Sequence, residues 1–172
     1  DTVAPIHPNN KHYAVLNGPS VQLVNEGWEG IPVKKGEKYI FSMFSRVDGK
    51  GGKFLVVLKD KEGKVCGEGY LNISGKDWKK REMVITAKET TDKATLELSP
   101  IFNGTVYLDM ISLFPQNTFK GRRNGLRADL AQTLADMKPR CVRFPGGWVT
   151  HGDGLNNMYR WKNTIGPLES RV

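Results

Sequence analysis

The hydrophobic period of this chain changes once, near Phe114, and that change limits what it can fold into. From about Lys11 to Phe114, apolar residues recur at every second position in short runs. A period of two puts them on one face of a strand. Lys38 to Arg46 (KYIFSMFSR) sets Tyr39, Phe41 and Met43 on one face; residues 93–99 alternate through Ala94, Leu96 and Leu98, and residues 104–113 through Val106, Leu108 and Met110. Phe54 to Leu58 (FLVVL) is unbroken, which predicts a strand covered on both sides. Turn-forming stretches separate the runs, among them Asp48-Gly49-Lys50-Gly51-Gly52, Glu62-Gly63, Ser74-Gly75 and Asn103-Gly104. Roughly seven to nine short strands without a long helical pattern predict a mainly β fold, an antiparallel and jelly-roll-like β-sandwich over residues 11–115.

After a polar, basic connector over residues 116–123 the period becomes helical. Leu126, Leu130 and Leu134 recur every fourth residue. Asn124 is placed to cap the helix start, and Pro139 prevents its continuation. Arg140 to Phe144 (RCVRF) then reads as a short strand ending in Pro145-Gly146-Gly147. A helix running directly into a strand with a glycine-rich end is a piece of an α/β unit. One helix and one strand bury too little to be a complete domain, so residues 116–172 form a second, partial segment.

The formal charge of +8 is unevenly spread: residues 116–172 hold 10 basic against 4 acidic side chains, while the first 115 are near balance. No run of five like charges occurs, and the lysines of Lys59-Asp60-Lys61-Glu62 alternate with acids, so the sequence argues against a nucleic-acid partner. It has no apolar run long enough for a membrane-spanning helix. Residues 1–10 carry neither the basic nor the apolar stretch of a secretion signal. Cys66 and Cys141 fall in different segments, too few for a disulfide framework or a zinc site, and both are expected as buried thiols.

The motifs Arg143-Phe144-Pro145-Gly146-Gly147 and Tyr159 to Pro167 (YRWKNTIGP), about a dozen residues apart, are specific in combination. With the rest of residues 124–171 they resemble the start of the catalytic (β/α)8 barrel of bacterial-type α-L-arabinofuranosidases in glycoside hydrolase family 51. The upstream stretch, from VNEGWEGIPVKKGEKYIFSMFSR through YLDMISLFP, is similar to the sandwich inserted in larger members, itself similar to carbohydrate-binding module family 4. The resemblance implies retaining hydrolysis of terminal α-L-arabinofuranosyl bonds in plant cell-wall polysaccharide, arabinoxylan or arabinan. It favours a secreted or periplasmic location. That chemistry uses two carboxyl groups about 5–5.5 Å apart. In the family both glutamates lie on barrel strands downstream of the PGG motif, so the expectation is that these 172 residues hold no complete catalytic pair.

The resemblance also assigns roles to single residues. Arg143, at the end of its strand, would face the nucleophile and hold that carboxylate ionised. Gly146 and Gly147 allow either a tight structural turn or close backbone approach to the sugar. Trp148 departs from the small polar residue or cysteine usual after PGG, and would either stack on the sugar or block its subsite. His151 and Asp153 read as loop hydrogen-bonding partners, and Trp161 as loop packing. On the sandwich Trp28, Tyr70, Trp78 and Tyr107 are the flat side chains suited to sugar faces, with Trp78 assigned to the core and Trp28 and Tyr107 first as platforms. Asp109 is a candidate ligand for a structural calcium, which related modules bind with backbone carbonyls and an N-terminal acidic residue; the chemistry itself requires no cofactor. Two other readings stay open: a stand-alone carbohydrate-binding module, and a sandwich that braces the barrel without binding sugar.

Overall fold

The computed structural model describes residues 3–171, and its β part follows the alternation closely. Nine strands form: β1 (Ala14–Asn17), β2 (Leu23–Asn25), β3 (Ile31–Val33), β4 (Lys38–Asp48), β5 (Gly52–Lys59), β6 (Val65–Ile73), β7 (Lys79–Thr86), β8 (Thr91–Pro100) and β9 (Thr105–Pro115). They pair antiparallel in two sheets, one ordered β1-β9-β4-β7 and the other β2-β8-β5-β6, with β3 also on β8. The inward residues of both sheets make one core: Phe41, Met43 and Val47 from β4, Phe54, Val56 and Leu58 from β5, Leu96 and Leu98 from β8, Val106 and Leu108 from β9. Burying each such side chain contributes about 1.5–3 kcal/mol, which is why the alternating positions decide the register.

Two details depart from the sequence expectation. Along β4, Ser42 faces Ser112 and Phe44 faces Asp109, so β9 carries one extra residue between them. Met110 there has φ 49°, the left-handed region. This bulge reverses the parity of β9. The core face continues through Ile111 and Leu113, and Met110 is turned out of it. The second detail is β5. No element covers its outward face among the described residues; Val57 is nevertheless buried, between Glu68 and Glu97 of the flanking strands. A Lys59–Glu97 ion pair at 2.5 Å closes over this region.

The connector is ordered. Thr118 is buried and donates to the Arg122 carbonyl, while the Phe119 amide donates to the Leu126 carbonyl at 2.9 Å. Arg123 pairs with Glu82 of β7. Helix α1 is Ala128–Asp136, starting later than expected: Asn124 sits in a left-handed turn (φ 49°) and Arg127 takes the N-cap position without a side-chain cap. Leu126, Leu130 and Leu134 form an apolar stripe, but all three are exposed. Arg140 to Phe144 forms no strand, because a parallel barrel strand exists only through neighbours that pair with it. Cys141 is exposed, unlike Cys66, whose thiol burial pushes upward in pKa. No helix among the described residues is long and apolar enough to cross a membrane.

Candidate functional site

The sequence-predicted residues fall in two places, the PGG segment and the surface of the sandwich. In the first, Phe144–Pro145 is a cis peptide and Gly147 has φ 54°, a conformation that L side chains rarely adopt. A four-residue helix α2 (Trp148–His151) follows, with the Thr150 amide donating to the Gly147 carbonyl at 3.1 Å. No atom crowds the space a Cβ would take at Gly146 or Gly147. Arg143 and Trp148 are both exposed, and Trp148 leans on the His151 ring at 5.1 Å between centroids. His151 Nδ1 lies 2.8 Å from the Gly152 carbonyl. The Asp153 amide donates to Asn157 Oδ1, and Asn157 Nδ2 donates back to Asp153. His151 and Asp153 therefore organise their own loop, as their spacing suggested. Trp161 is exposed, with Lys162 over its ring at 5.9 Å.

The aspartates of this segment are engaged locally. Asp129 takes both hydrogen bonds of the Arg127 fork and is held at a pKa of about 2, chiefly by that contact. Asp136 accepts from Gln132 at 2.7 Å. No ion pair reaches Arg143 among the described residues.

On the sandwich the structure separates the four aromatics by environment. Trp28 is 97% exposed, at the tip of the turn joining β2 to β3. The turn is braced: Asn25 Oδ1 accepts from the Gly27 amide at 2.8 Å, and Lys93 Nζ donates to the Glu29 carbonyl at 2.8 Å. Gly30 (φ +106°) lies so close to β8 that a Cβ would stand 2.5 Å from the Asp92 carbonyl oxygen. Tyr70 is exposed on the outer face of the second sheet, where it opposes Leu55.

Tyr107 and Trp78 belong to a different arrangement, together with Tyr13. The Arg46 guanidinium sits 3.6 Å from the Tyr107 ring centre, 5.4 Å from Trp78 and 5.5 Å from Tyr13. Tyr13 meets both other rings edge-on. Tyr107 donates its hydroxyl to Asp48 Oδ2 at 2.7 Å, and this bond raises its pKa above the ordinary tyrosine value. One face of Tyr107 is thus taken by a cation, and Trp78, assigned from sequence to the core, lies half-buried on the outside of the first sheet. No motif marked Arg46 in the sequence; only its outward parity on β4, shared with Asp48, pointed to that face.

Asp109 uses both carboxylate oxygens in hydrogen bonds, accepting from Asn10 Nδ2 at 2.9 Å and from the Met110 amide at 2.7 Å. The described residues contain no group of three or more His, Cys, Asp or Glu able to hold a metal, and Asp1, the acidic residue of the N-terminal stretch, lies outside them. Calcium needs six to eight oxygens, of which Asp109 itself brings two.

Residues 133–172 match the family model of the alpha-L-arabinofuranosidase 1 domain. The chain is 34% identical over 154 residues to alpha-L-arabinofuranosidase 1 of Arabidopsis thaliana, covering 88% of this chain and 22% of that protein. It is 33% identical over 179 residues to an extracellular exo-alpha-L-arabinofuranosidase of Streptomyces chartreusis, covering 97% and 21%. A solved arabinose-bound GH51 α-L-arabinofuranosidase superposes with a TM-score of 0.87 at 29% identity, over 98% of this chain and 29% of that one. The fold is a β-sandwich followed by a segment that matches part of an arabinofuranosidase domain model. The chain is similar, over nearly its whole length, to a segment of the α-L-arabinofuranosidases of glycoside hydrolase family 51. It spans about a fifth of the length of the curated relatives it matches.

Proposed function

We propose that this chain acts within a retaining hydrolase that removes terminal α-L-arabinofuranosyl residues from plant cell-wall polysaccharide, arabinoxylan or arabinan. The observation that carries this reading is the superposition on the GH51 enzyme over nearly the whole chain, the PGG segment included. In that role Arg143 stands at the end of an early active-site strand, which forms once neighbouring barrel strands pair with residues 140–144. Its fixed positive charge, aimed at a neighbouring carboxyl group, would keep a nucleophile ionised. Retaining chemistry needs two carboxyl groups about 5–5.5 Å apart. Among the described residues Asp129, Asp136 and Asp153 each take part in local hydrogen bonds, and on this reading the catalytic pair comes from other barrel strands.

The test is a chimera in which this chain replaces the matching residues of the Streptomyces relative. We expect hydrolysis of an aryl α-L-arabinofuranoside by the chimera, and a loss in kcat of about 100-fold or more for Arg143→Ala, the scale of removing one preorganised electrostatic partner. A folded but inactive chimera would count against the reading; full activity of the Arg143→Ala chimera would remove Arg143 from it.

A second role rests on Trp28. A braced turn that holds an indole wholly in solvent supplies a rigid flat surface, which suits the apolar face of a sugar ring. Carbohydrate binding by the sandwich is therefore read at Trp28, with Tyr70 the second exposed aromatic, and not at Tyr107.

A further inference from the structure

The N-terminal stretch, which the sequence left without a role, runs over the first sheet and reaches the far end of the chain. It is anchored at two points. Near its start, the Val3 carbonyl accepts from Tyr13 and Arg46, and the Ala4 carbonyl accepts from Trp78 Nε1 at 3.1 Å. The Arg46 cluster of Tyr13, Trp78 and Tyr107 is thus the dock for this arm. Further on, the Asn10 amide donates to Asp109 at 2.9 Å and lies 3.4 Å from Met110 Sδ, gripping the bulge of β9.

Between the two anchors a turn closes. The Asn10 amide nitrogen of the backbone donates to the His7 carbonyl at 2.9 Å, and the Asn9 backbone N–H to His7 Nδ1 at 3.1 Å. The turn points the two neighbouring asparagine side chains in different directions. Asn10 holds the sandwich, while Asn9 Nδ2 donates to the Ser170 carbonyl at 2.8 Å. Ser170 closes a short turn whose own bonds run back to Pro167. Of residues 160–171 only Glu169 and Ser170 are not exposed, so this tail meets the rest of the molecule at that point.

We propose that the arm is a clasp that fixes the catalytic segment to the sandwich, with Asn9 and Asn10 as its two hooks and the β9 bulge as its footing. Both Asn9 and Asn10 are positioning residues: they hold the tail beyond the YRWKNTIGP motif in a set place relative to the first sheet. The arrangement also gives the bulge at Met110 a purpose. An unbulged β9 would keep its parity and turn Met110 toward the core, away from Asn10.

The experiment is hydrogen exchange on the 172-residue chain, comparing wild type with Asn9→Asp and Asn10→Asp. Aspartate keeps the shape and removes the N–H donor. For Asn9→Asp we expect exchange over residues 167–171 to rise about five-fold, the scale of one exposed hydrogen bond, with β4 and β9 unchanged. Asn10→Asp also sets a second carboxylate beside Asp109, so exchange should rise over residues 7–10 and 167–171 together. Unchanged protection of 167–171 in Asn9→Asp overturns the proposal. So does a rise shared equally by β4 and β9, which would mean general destabilisation.

Discussion

The Arg46 guanidinium lies 3.6 Å from the centre of the Tyr107 ring, closer than to either other aromatic of its cluster. A cation over an aromatic face is worth about 0.5–1 kcal/mol when exposed and about 2 when desolvated. Replacing Arg46 by Met keeps the stem and removes the charge. We expect a loss of about 1–2 kcal/mol in unfolding free energy by urea denaturation, with no change in polysaccharide affinity. A loss of affinity with unchanged stability would return Tyr107 to the list of sugar platforms.

Tyr107 gives the same cluster an alkaline limit. Its hydroxyl must stay protonated to donate to Asp48, and the bond raises its pKa above the ordinary value near 10. A raised pKa means stability fully present below the unfolded value and lost as pH rises through the folded one. Titration of tyrosine absorbance should therefore show one late component, absent in Asp48→Asn. No difference between the two profiles would remove the Asp48 bond from the account.

Helix α1 has the opposite limit. Arg127 holds Asp129 at about 2, below the carboxylate range near 3.9. A depressed pKa contributes stability that is present above the unfolded value and lost as pH falls through the folded one. The Asp129 carboxyl signal, followed by NMR, should titrate near 2 in wild type and move up toward 3.9 in Arg127→Gln. Titration near 3.9 in both would show that the bidentate contact does not persist in water.

The turn that carries Trp28 depends on Gly30. A Cβ there would meet the Asp92 carbonyl oxygen and the Lys93 Cα, both backbone atoms, at 2.5 Å, and φ +106° strains any L side chain. Gly30→Ala should cost about 1–3 kcal/mol, the range for forcing atoms into a packed contact. Thermal unfolding measures it, and a wild-type Tm would show that the turn has room.

The sandwich was legible because burial on one sheet face enforces a period of two, and that period survives in Tyr39, Phe41, Met43, Leu96 and Leu98. The parity change at Met110 was not, since nothing in YLDMISLF marks which residue is extra; the partner strand decides it. Asn124 looked like a cap because caps are read from residue type, while the chain spends it on a left-handed turn ahead of Arg127. The strand expected over residues 140–144 needs neighbours that a local pattern cannot supply. Tyr107 was rightly placed facing outward, but the alternation says nothing of Arg46 lying across it. Asn9 and Ser170 are 161 residues apart, beyond any motif.

Trp28 separates the roles open to the sandwich. Its side chain is 97% exposed, so Trp28→Ala removes almost no packing and should leave Tm unchanged. If the indole stacks on sugar, its loss should weaken binding by about 1–3 kcal/mol, by analogy with stacking of bases on aromatic side chains. That is roughly a five-fold to more than hundred-fold rise in Kd. Attraction through the basic residues of the 116–172 segment would behave otherwise, falling with added salt and favouring acidic polysaccharides. Calorimetric titration of arabinoxylan and arabinan into wild type and Trp28→Ala, at low and high salt, distinguishes the two. Salt-insensitive binding that the substitution removes is the expected result. Equal binding by both proteins would take Trp28 out of the site, and no binding by wild type would leave the sandwich as a brace for the catalytic domain.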